Sequence, residues 1–342
     1  MLELGEAHSV LGLVARTVQR GDFSMVPAAA REKLQKLMRS QHLFTLSLTA
    51  DLFRILDDFS VVGIETLLFK GPVMSQLAYD DPAIRSYVDL DLLVREAKIL
   101  RATQRMVAVG YEAQVGEGAI RNGRVPGEYI FKRPGTPQIV ELHTEQSFRY
   151  YPRPMPIEDL FARKRIAVLE GRSVPALSLE DELVLNVIHG SKHFWERLLW
   201  LADLAAVLAQ HPEIDWPRVR RSAEEVGATR MLHVGLRLAE RVLGAVVPEA
   251  MVTDVNDGAP TVQLCEKITK WYPRSVFETP GPGARALFRW QMGGGGIAGT
   301  KYLMRLSFSP TEEDWGPKQE RSRLREVLGR PWRLMKKYGG RS

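Results

Sequence analysis

The chain has 342 residues, room for two domains and a substantial core. Its single cysteine, Cys265, excludes intrachain disulfides and any multi-cysteine zinc site, and is expected as a small buried apolar side chain. With no apolar run of about eighteen residues and no secretory leader, a cytoplasmic chain without membrane contact is expected, and its net charge of +6 decides little by itself.

In chain order, residues 1–21 and about 27–59 read as helices, the second carrying the stripe Leu34, Leu37, Phe44, Leu48, Leu52, Ile55 and Phe59. Strands then alternate with helices from 64 to about 145, with a helix near 96–109 and strand-like pieces at 110–114, 128–133 and 137–143. The stretch 116–127 holds four Gly and one Pro and reads as a hairpin loop or mobile flap. Three prolines between Tyr150 and Pro156 mark a boundary. Beyond about 178 the pattern is helical, over 179–192, 195–210, 215–226, 228–245, 260–270, 283–291, 298–307 and 321–337. The run Gly293–Gly296 must break a helix and reads as a hinge. The expected class is α+β: a helical segment over 1–60, a small mixed-sheet core over 61–155, and a helical domain with a basic terminal helix over 156–342.

Chemistry concentrates in the core. In Tyr87-Val88-Asp89-Leu90-Asp91-Leu92-Leu93-Val94, two carboxylates alternate with apolar residues. Strand side chains alternate faces, so Asp89 and Asp91 point the same way. Like charges so placed repel, and a hard cation such as Mg²⁺ removes that cost. The plainer alternative is an edge strand with its acidic face in water. Upstream, the apolar strand Thr66–Phe69 ends at Lys70-Gly71-Pro72, and the residues from Val73 to Tyr79 have helical character. A strand passing through Gly into a helix N-terminus makes an anion site, to which Lys70 adds a point charge. Lys-Gly is otherwise a common turn. A third segment, Gln138-Ile139-Val140-Glu141-Leu142-His143, puts Glu141 and His143 on one face. Beside the Asp-x-Asp strand, Glu141 would complete three carboxylates able to hold two metal ions for in-line phosphoryl or nucleotidyl transfer. A cross-strand pair or a solvated strand end is the alternative for Glu141 and His143.

The order Lys-Gly, Tyr79, Arg85, Asp-Leu-Asp-Leu-Leu-Val, Glu-Leu-His resembles the uncharacterised bacterial nucleotidyltransferases, a family of the polymerase-beta-like nucleotidyltransferase superfamily. The resemblance continues through Leu185–Asp203 (LNVIHGSKHFWERLLWLAD), Phe288-Arg289-Trp290, Phe308–Trp315 and Arg330–Leu334, and so covers about residues 40 to 340. It implies a nucleotidyltransferase core that moves a nucleoside monophosphate from an NTP to an acceptor and releases pyrophosphate. Asp89 and Asp91 would then hold Mg²⁺ or Mn²⁺, and Glu141 would bind the catalytic ion and help deprotonate the acceptor. Lys70 and the Gly71 amide would grip the triphosphate, with Arg85 as a further charge. The acceptor is open: small molecule, peptide, protein or RNA. Gly71-Pro72 departs from the usual Gly-Ser or Gly-Gly, and the seventeen residues from Gly71 to Asp89 exceed the usual spacing. A non-catalytic nucleotide-binding or partner-binding module keeping the fold is the alternative.

His189 and His193 stand at i, i+4 if the helix runs through Gly190, with Lys192 beside them. As a nucleotide-facing wall, Lys192 would neutralise phosphate and His193 would hydrogen-bond base or sugar. The alternative is a buried His–Asp pair with Asp203 pinning two helices. From Lys318 onward there are nine Lys or Arg against two Glu, interleaved with Leu324, Leu328, Trp332 and Met335 at helical spacing. A terminal helix docked through that apolar face, its charges outward, is expected; an RNA-tracking surface is the alternative.

Overall fold

The computed structural model describes residues 2–21, 26–121, 127–144, 152–153, 156–249, 251, 258–270, 272, 281–308 and 323–339. Its N-terminal helical segment is three helices: α1 (Leu2–Ala7), α2 (Leu11–Arg20) and α3 (Ala28–Val61). The single helix expected over 1–21 is broken at Ser9, whose φ of 58° lies in the left-handed region.

Among the described residues the core is one mixed seven-stranded sheet in the order β3-β4-β5-β2-β1-β7-β6. Its strands are β1 (Thr66–Phe69), β2 (Asp89–Val94), β3 (Glu112–Ala113), β4 (Glu128–Lys132), β5 (Ile139–His143), β6 (Arg165–Leu169) and β7 (Arg172–Ala176). Strand β2 runs antiparallel to β1 and parallel to β5, and β7 runs parallel to β1. The β6–β7 hairpin was not anticipated, and the expected division at 155/156 puts it with the helices. Its hydrogen bonds put it in the sheet. Val174 and Ala176 are buried there, while Ile166 and Val168 face outward at the edge, so the segment lacks a long apolar run.

Alternation along the strands sorts the two faces. Leu68, Leu90, Leu92, Val94, Val140 and Leu142 pack under α3 and α5 (Ile99–Ala108). Leu67, Phe69 and Leu93 point the other way, into a core shared with α4 (Gly71–Tyr79) and the C-terminal helices. Those helices are α8 (Leu179–Lys192), α9 (Leu198–Gln210), α10 (Trp216–Glu225), α11 (Thr229–Leu243), α12 (Gly258–Thr269), α13 (Pro282–Met292), α14 (Gly296–Phe308) and α15 (Arg323–Gly339). Two short helices, α6 (Glu117–Arg121) and α7 (Ile157–Ala162), lie between. No helix among the described residues is long and apolar enough to cross a membrane.

Glycine is required at Gly190 and in the turn between α13 and α14. At Gly190, which α8 does run through, a Cβ would lie 2.6 Å from the Trp195 ring. Between α13 and α14, Gly294, Gly295 and Gly296 have φ of 101°, 67° and 50°, and the run breaks the helix as expected. Cys265 is buried, as expected.

Four expectations meet a limit or a correction. Residues 122–126 of the expected flap, Tyr150, Tyr151, Pro154 and Met155 of the expected boundary, and residues 309–315 of the resembling C-terminal motif lie outside the described residues. The terminal helix forms, and Pro331 sits inside it. Its apolar face, however, is not docked at Leu328 or Trp332, which are 63% and 65% exposed. Instead Arg330 is buried, and its Nε donates to the Leu306 carbonyl in the last turn of α14. A cation is favoured at a helix C-terminus, and this contact turns the helix by a different face than its apolar spacing implied.

Candidate metal and nucleotide site

Asp89, Asp91 and Glu141 all lie on the sheet face that the C-terminal helices cover. The β2–β5 register sets Asp91 directly opposite Glu141, with Asp89 opposite Ile139 and Leu93 opposite His143. Neighbouring strands lie about 4.8 Å apart, so the Asp91 and Glu141 carboxylates stand side by side on one face. Ligand atoms of Asp91, Glu141 and His143 fall within 4.8 Å of one another. Asp89 shares the face, half-buried, one pleat earlier along the strand. It lies outside that three-residue group, yet the charges of Asp91 and Glu141 act on it.

The electrostatics are those of a crowded acidic centre. Burial, reinforced by Asp91 and Glu141, pushes the Asp89 carboxyl up to about 6. Asp91 is buried too, but Lys70 and His143 outweigh that and hold its carboxyl well below the usual range. Both contacts reach the same oxygen: Lys70 Nζ donates to Asp91 Oδ1 at 3.0 Å, and His143 Nε2 lies 2.9 Å from it. His143 Nε2 is also 3.4 Å from Glu141 Oε2. Burial opposes the imidazolium, but its hydrogen bonds to the Asp91 and Glu141 carboxylates prevail and raise His143 to about 9. Its ring rests edge-on against Phe69, 5.0 Å between centroids.

Lys70 reaches this centre from a strained turn. It leaves β1 with φ 53° and ψ −147°, a combination essentially restricted to glycine, and its carbonyl starts α4. Gly71 follows with φ 40°, and Pro72 occupies the first turn. Lys70 therefore stands on the Asp89/Asp91 face, as its motif implied.

Arg85 is placed differently from the expected phosphate ligand. Its Nε donates to Asp203 Oδ2 at 2.8 Å, both side chains are buried, and the Tyr79 hydroxyl donates to Asp203 Oδ1 at 2.8 Å. Asp203 is thus engaged by the α4 end and the following loop, and does not pair with His189 or His193 as one alternative had it. Although paired with Asp203, the Arg85 guanidinium still acts on Asp89, lowering its carboxyl against burial. The two histidines pack with each other and with Trp200, the His193 ring stacking on the indole at 5.3 Å. Burial first, then Lys192 and Lys70, drives His193 down to about 3, and burial with Lys70 drives His189 well below the ordinary imidazole range. Both rings are neutral at physiological pH. Lys192 ends α8, half-buried beside them.

Two participants were not assigned from the sequence. His143 was seen to share the Glu141 face, but its place in the ligand set depends on which strand lies beside β5. Glu182 gave no signal at all, being one of three acids in the first turns of α8, where a solvated, dipole-matched acid is the ordinary expectation. It is fully buried, and its Oε1 accepts from the Lys70 amide at 2.7 Å. A separate cavity of about 790 Å³, lined by Arg153, Arg230, His233 and Lys301 among others, shares no residue with this centre. Its two arginines are held by helix-end carbonyls of Glu224 and Gln291.

The profile of a protein family described as "Uncharacterised nucleotidyltransferase" matches residues 1–244. No curated protein matches the chain. Among solved structures, the lincosamide antibiotic adenylyltransferase LnuA, lincomycin-bound, is similar at 16% identity over 46% of this chain and 94% of its own, TM-score 0.31. The antibiotic-resistance factor ANT(2'')-Ia is similar at 14% identity over 67% and 95%, TM-score 0.33. A nucleotidyltransferase-like protein from Paracoccidioides brasiliensis is similar at 18% identity over 62% and 95%, TM-score 0.33. Likeness at this level says nothing of substrate or mechanism.

Proposed function

Since the chain belongs to the uncharacterised nucleotidyltransferase family, we propose that it transfers a nucleoside monophosphate from an NTP to an acceptor, with release of pyrophosphate. One observation carries the reading: Asp91 and Glu141 are set directly opposite on adjacent strands, with Asp89 on the same face and ligand atoms of Asp91, Glu141 and His143 within 4.8 Å. Like charges directly opposite destabilise a sheet, and a divalent cation offsets that cost.

Asp89, Asp91 and Glu141 would hold the metal, Mg²⁺ or Mn²⁺, whose oxygen preference matches three carboxylates. When bound, the ion supplies Lewis-acid neutralisation of the phosphate oxygens and lowers the pKa of an oxygen it coordinates. Lys70 would exchange its contact with Asp91 for the triphosphate, whose negative charge the α4 N-terminus also favours. Glu141, less buried than Asp91, is the better placed acceptor of the proton from an incoming hydroxyl. Lys192 and the neutral His193 form the wall where phosphate charge and base or sugar would sit. The acceptor is a small molecule, peptide, protein or RNA, and a cytoplasmic location would supply the NTP.

A second reading has its own support. Lys70 and His143 both pair with Asp91 Oδ1, so that carboxylate is charge-compensated without a metal ion. That favours a binding module that keeps the fold without transfer. Incubation with each labelled NTP and Mg²⁺, scored for pyrophosphate release, separates the two. Activity abolished by EDTA supports the enzyme. Nucleotide binding without release at any acceptor concentration supports the module.

The raised His143 has a consequence for metal-free stability. A folded-state value of about 9 against an ordinary 6.5 gives stability fully present below pH 6.5 and lost as pH rises through 9. Asp89 and Glu182 are raised only to about 6 and about 7, so their losses lie at lower pH and leave the window above 7 to His143. Urea unfolding in EDTA should show a decline on the order of 2 kcal/mol between pH 7 and 9. The variant His143→Gln should flatten it; an unchanged slope would remove the imidazolium from this centre.

A further inference from the structure

Lys70 occupies backbone space that a side chain resists, and something must hold it there. Its carbonyl is committed to α4, accepting from Met74 N at 2.9 Å. Its amide lies past the β1–β2 ladder, whose last pair is Phe69 and Asp91. The group that receives this amide comes from residue 182, more than a hundred positions away, through Glu182 Oε1 at 2.7 Å.

Glu182 is an expensive residue for such a place. Its side chain is fully buried, and its second oxygen, Oε2, has no partner among the described residues. A buried carboxylate so incompletely bonded is unfavourable where an apolar side chain would pack. Opposite charge comes from Arg165 on β6, whose own Nε and Nη2 have no hydrogen-bond partner among the described residues. What the carboxylate has in return is the strained amide. Upstream of it, the route from β7 into α8 is itself pinned: Leu177 N donates to Leu68 O at 3.1 Å, and Asp181 is bonded by Ser178 and by both Nε and Nη2 of Arg163. The start of α8 is thereby fixed to the end of β1.

We propose that Glu182 is a positioning residue: it clamps the Lys70 amide, holds the turn in its strained form, and so aims Lys70 Nζ at Asp91 and the α4 N-terminus at the phosphate position. The consequence for nucleotide rests on the function proposed above; the clamp does not. Glu182 touches no reacting atom, and its influence passes through one backbone hydrogen bond.

The test compares Glu182→Leu, which removes the acceptor, with Glu182→Gln, which keeps one. Amide hydrogen exchange is followed by NMR in the full chain, and ATP affinity is measured with Mg²⁺. For Glu182→Leu, exchange at Lys70 should rise at least about 10-fold with Leu67 and Leu68 unchanged, and ATP affinity should fall about 10-fold. Glu182→Gln should restore both. Unchanged exchange at Lys70 in Glu182→Leu, or Glu182→Gln failing as Leu does, would overturn the clamp. If Glu182→Leu does not fold, Lys70→Gly in the same chain decides, because glycine needs no clamp. Recovery of folding supports the proposal, and a double variant that still fails makes Glu182 a core residue only. Wild-type protein without affinity for any NTP would defeat the nucleotide reading, while the exchange result would still judge the clamp.

Discussion

Glu141→Gln is expected to abolish metal-dependent nucleotidyl transfer while leaving the fold close to wild type, whereas Asp91→Asn is expected to lose both. The difference follows from burial and pairing. Glu141 is half-buried and pairs with His143 at 3.4 Å. Asp91 is buried, and its Oδ1 compensates Lys70 and His143 together. Neutralising Asp91 leaves two cations near each other with weakened partners, and breaking a buried pair costs about 3–5 kcal/mol. For transfer, both variants should fall by well over ~100-fold, since losing even an outer partner of a bound metal costs about 10–100-fold. Pyrophosphate release and Mn²⁺ binding measure the first effect, and urea unfolding the second. Mn²⁺ affinity unchanged in Glu141→Gln would remove that residue from the centre and with it the carboxylate reading.

Asp203→Ala should be the most destabilising single change outside the sheet, by about 3–5 kcal/mol, because it strands the buried Arg85 guanidinium. Tyr79→Phe removes one hydrogen bond to the same carboxylate and should cost about 1 kcal/mol. A paired replacement, Arg85→Met with Asp203→Leu, should recover most of the loss, as apolar pairs of similar size commonly do. The same series decides the role of Arg85. A brace changes stability and leaves the ATP affinity of the refolded double variant near wild type. If the double variant is stable but binds ATP many-fold more weakly, Arg85 contributes charge to the phosphate as its place in the sequence motif suggested. Urea unfolding with parallel ATP titration measures both.

What the sequence determined by itself was local and periodic. The two-residue period of a strand is enough to put Asp89 beside Asp91 and Glu141 beside His143, and the structure has both pairs on one sheet face. Helical periodicity placed α3 and the helices from α8 to α15 within a few residues of their ends, because each carries its own apolar stripe and breakers. Periodicity misled where the segment was short or its face was set by a neighbour. The β6–β7 hairpin alternates weakly because it lies at the sheet edge, and the terminal helix follows Arg330 at a helix end and leaves Leu328 and Trp332 exposed.

Only the tertiary structure decided which groups meet. Nothing in the spacing of residues 91 and 141 says that β2 and β5 are parallel neighbours; that follows from the sheet order. The family resemblance implied Arg85 as a further charge for the triphosphate, and it lies 118 positions from the carboxylate that binds it. Glu182 looked like an ordinary helix-start acid, and became a partner of Lys70 through a contact spanning 112 positions. The backbone of Lys70, at φ 53°, is held by that contact and by α4, and no residue type other than glycine announces such a conformation in advance. Propensity and periodicity act over a few residues and are written in composition. Charge compensation acts across space, so its partners are fixed only once the chain has brought distant segments together.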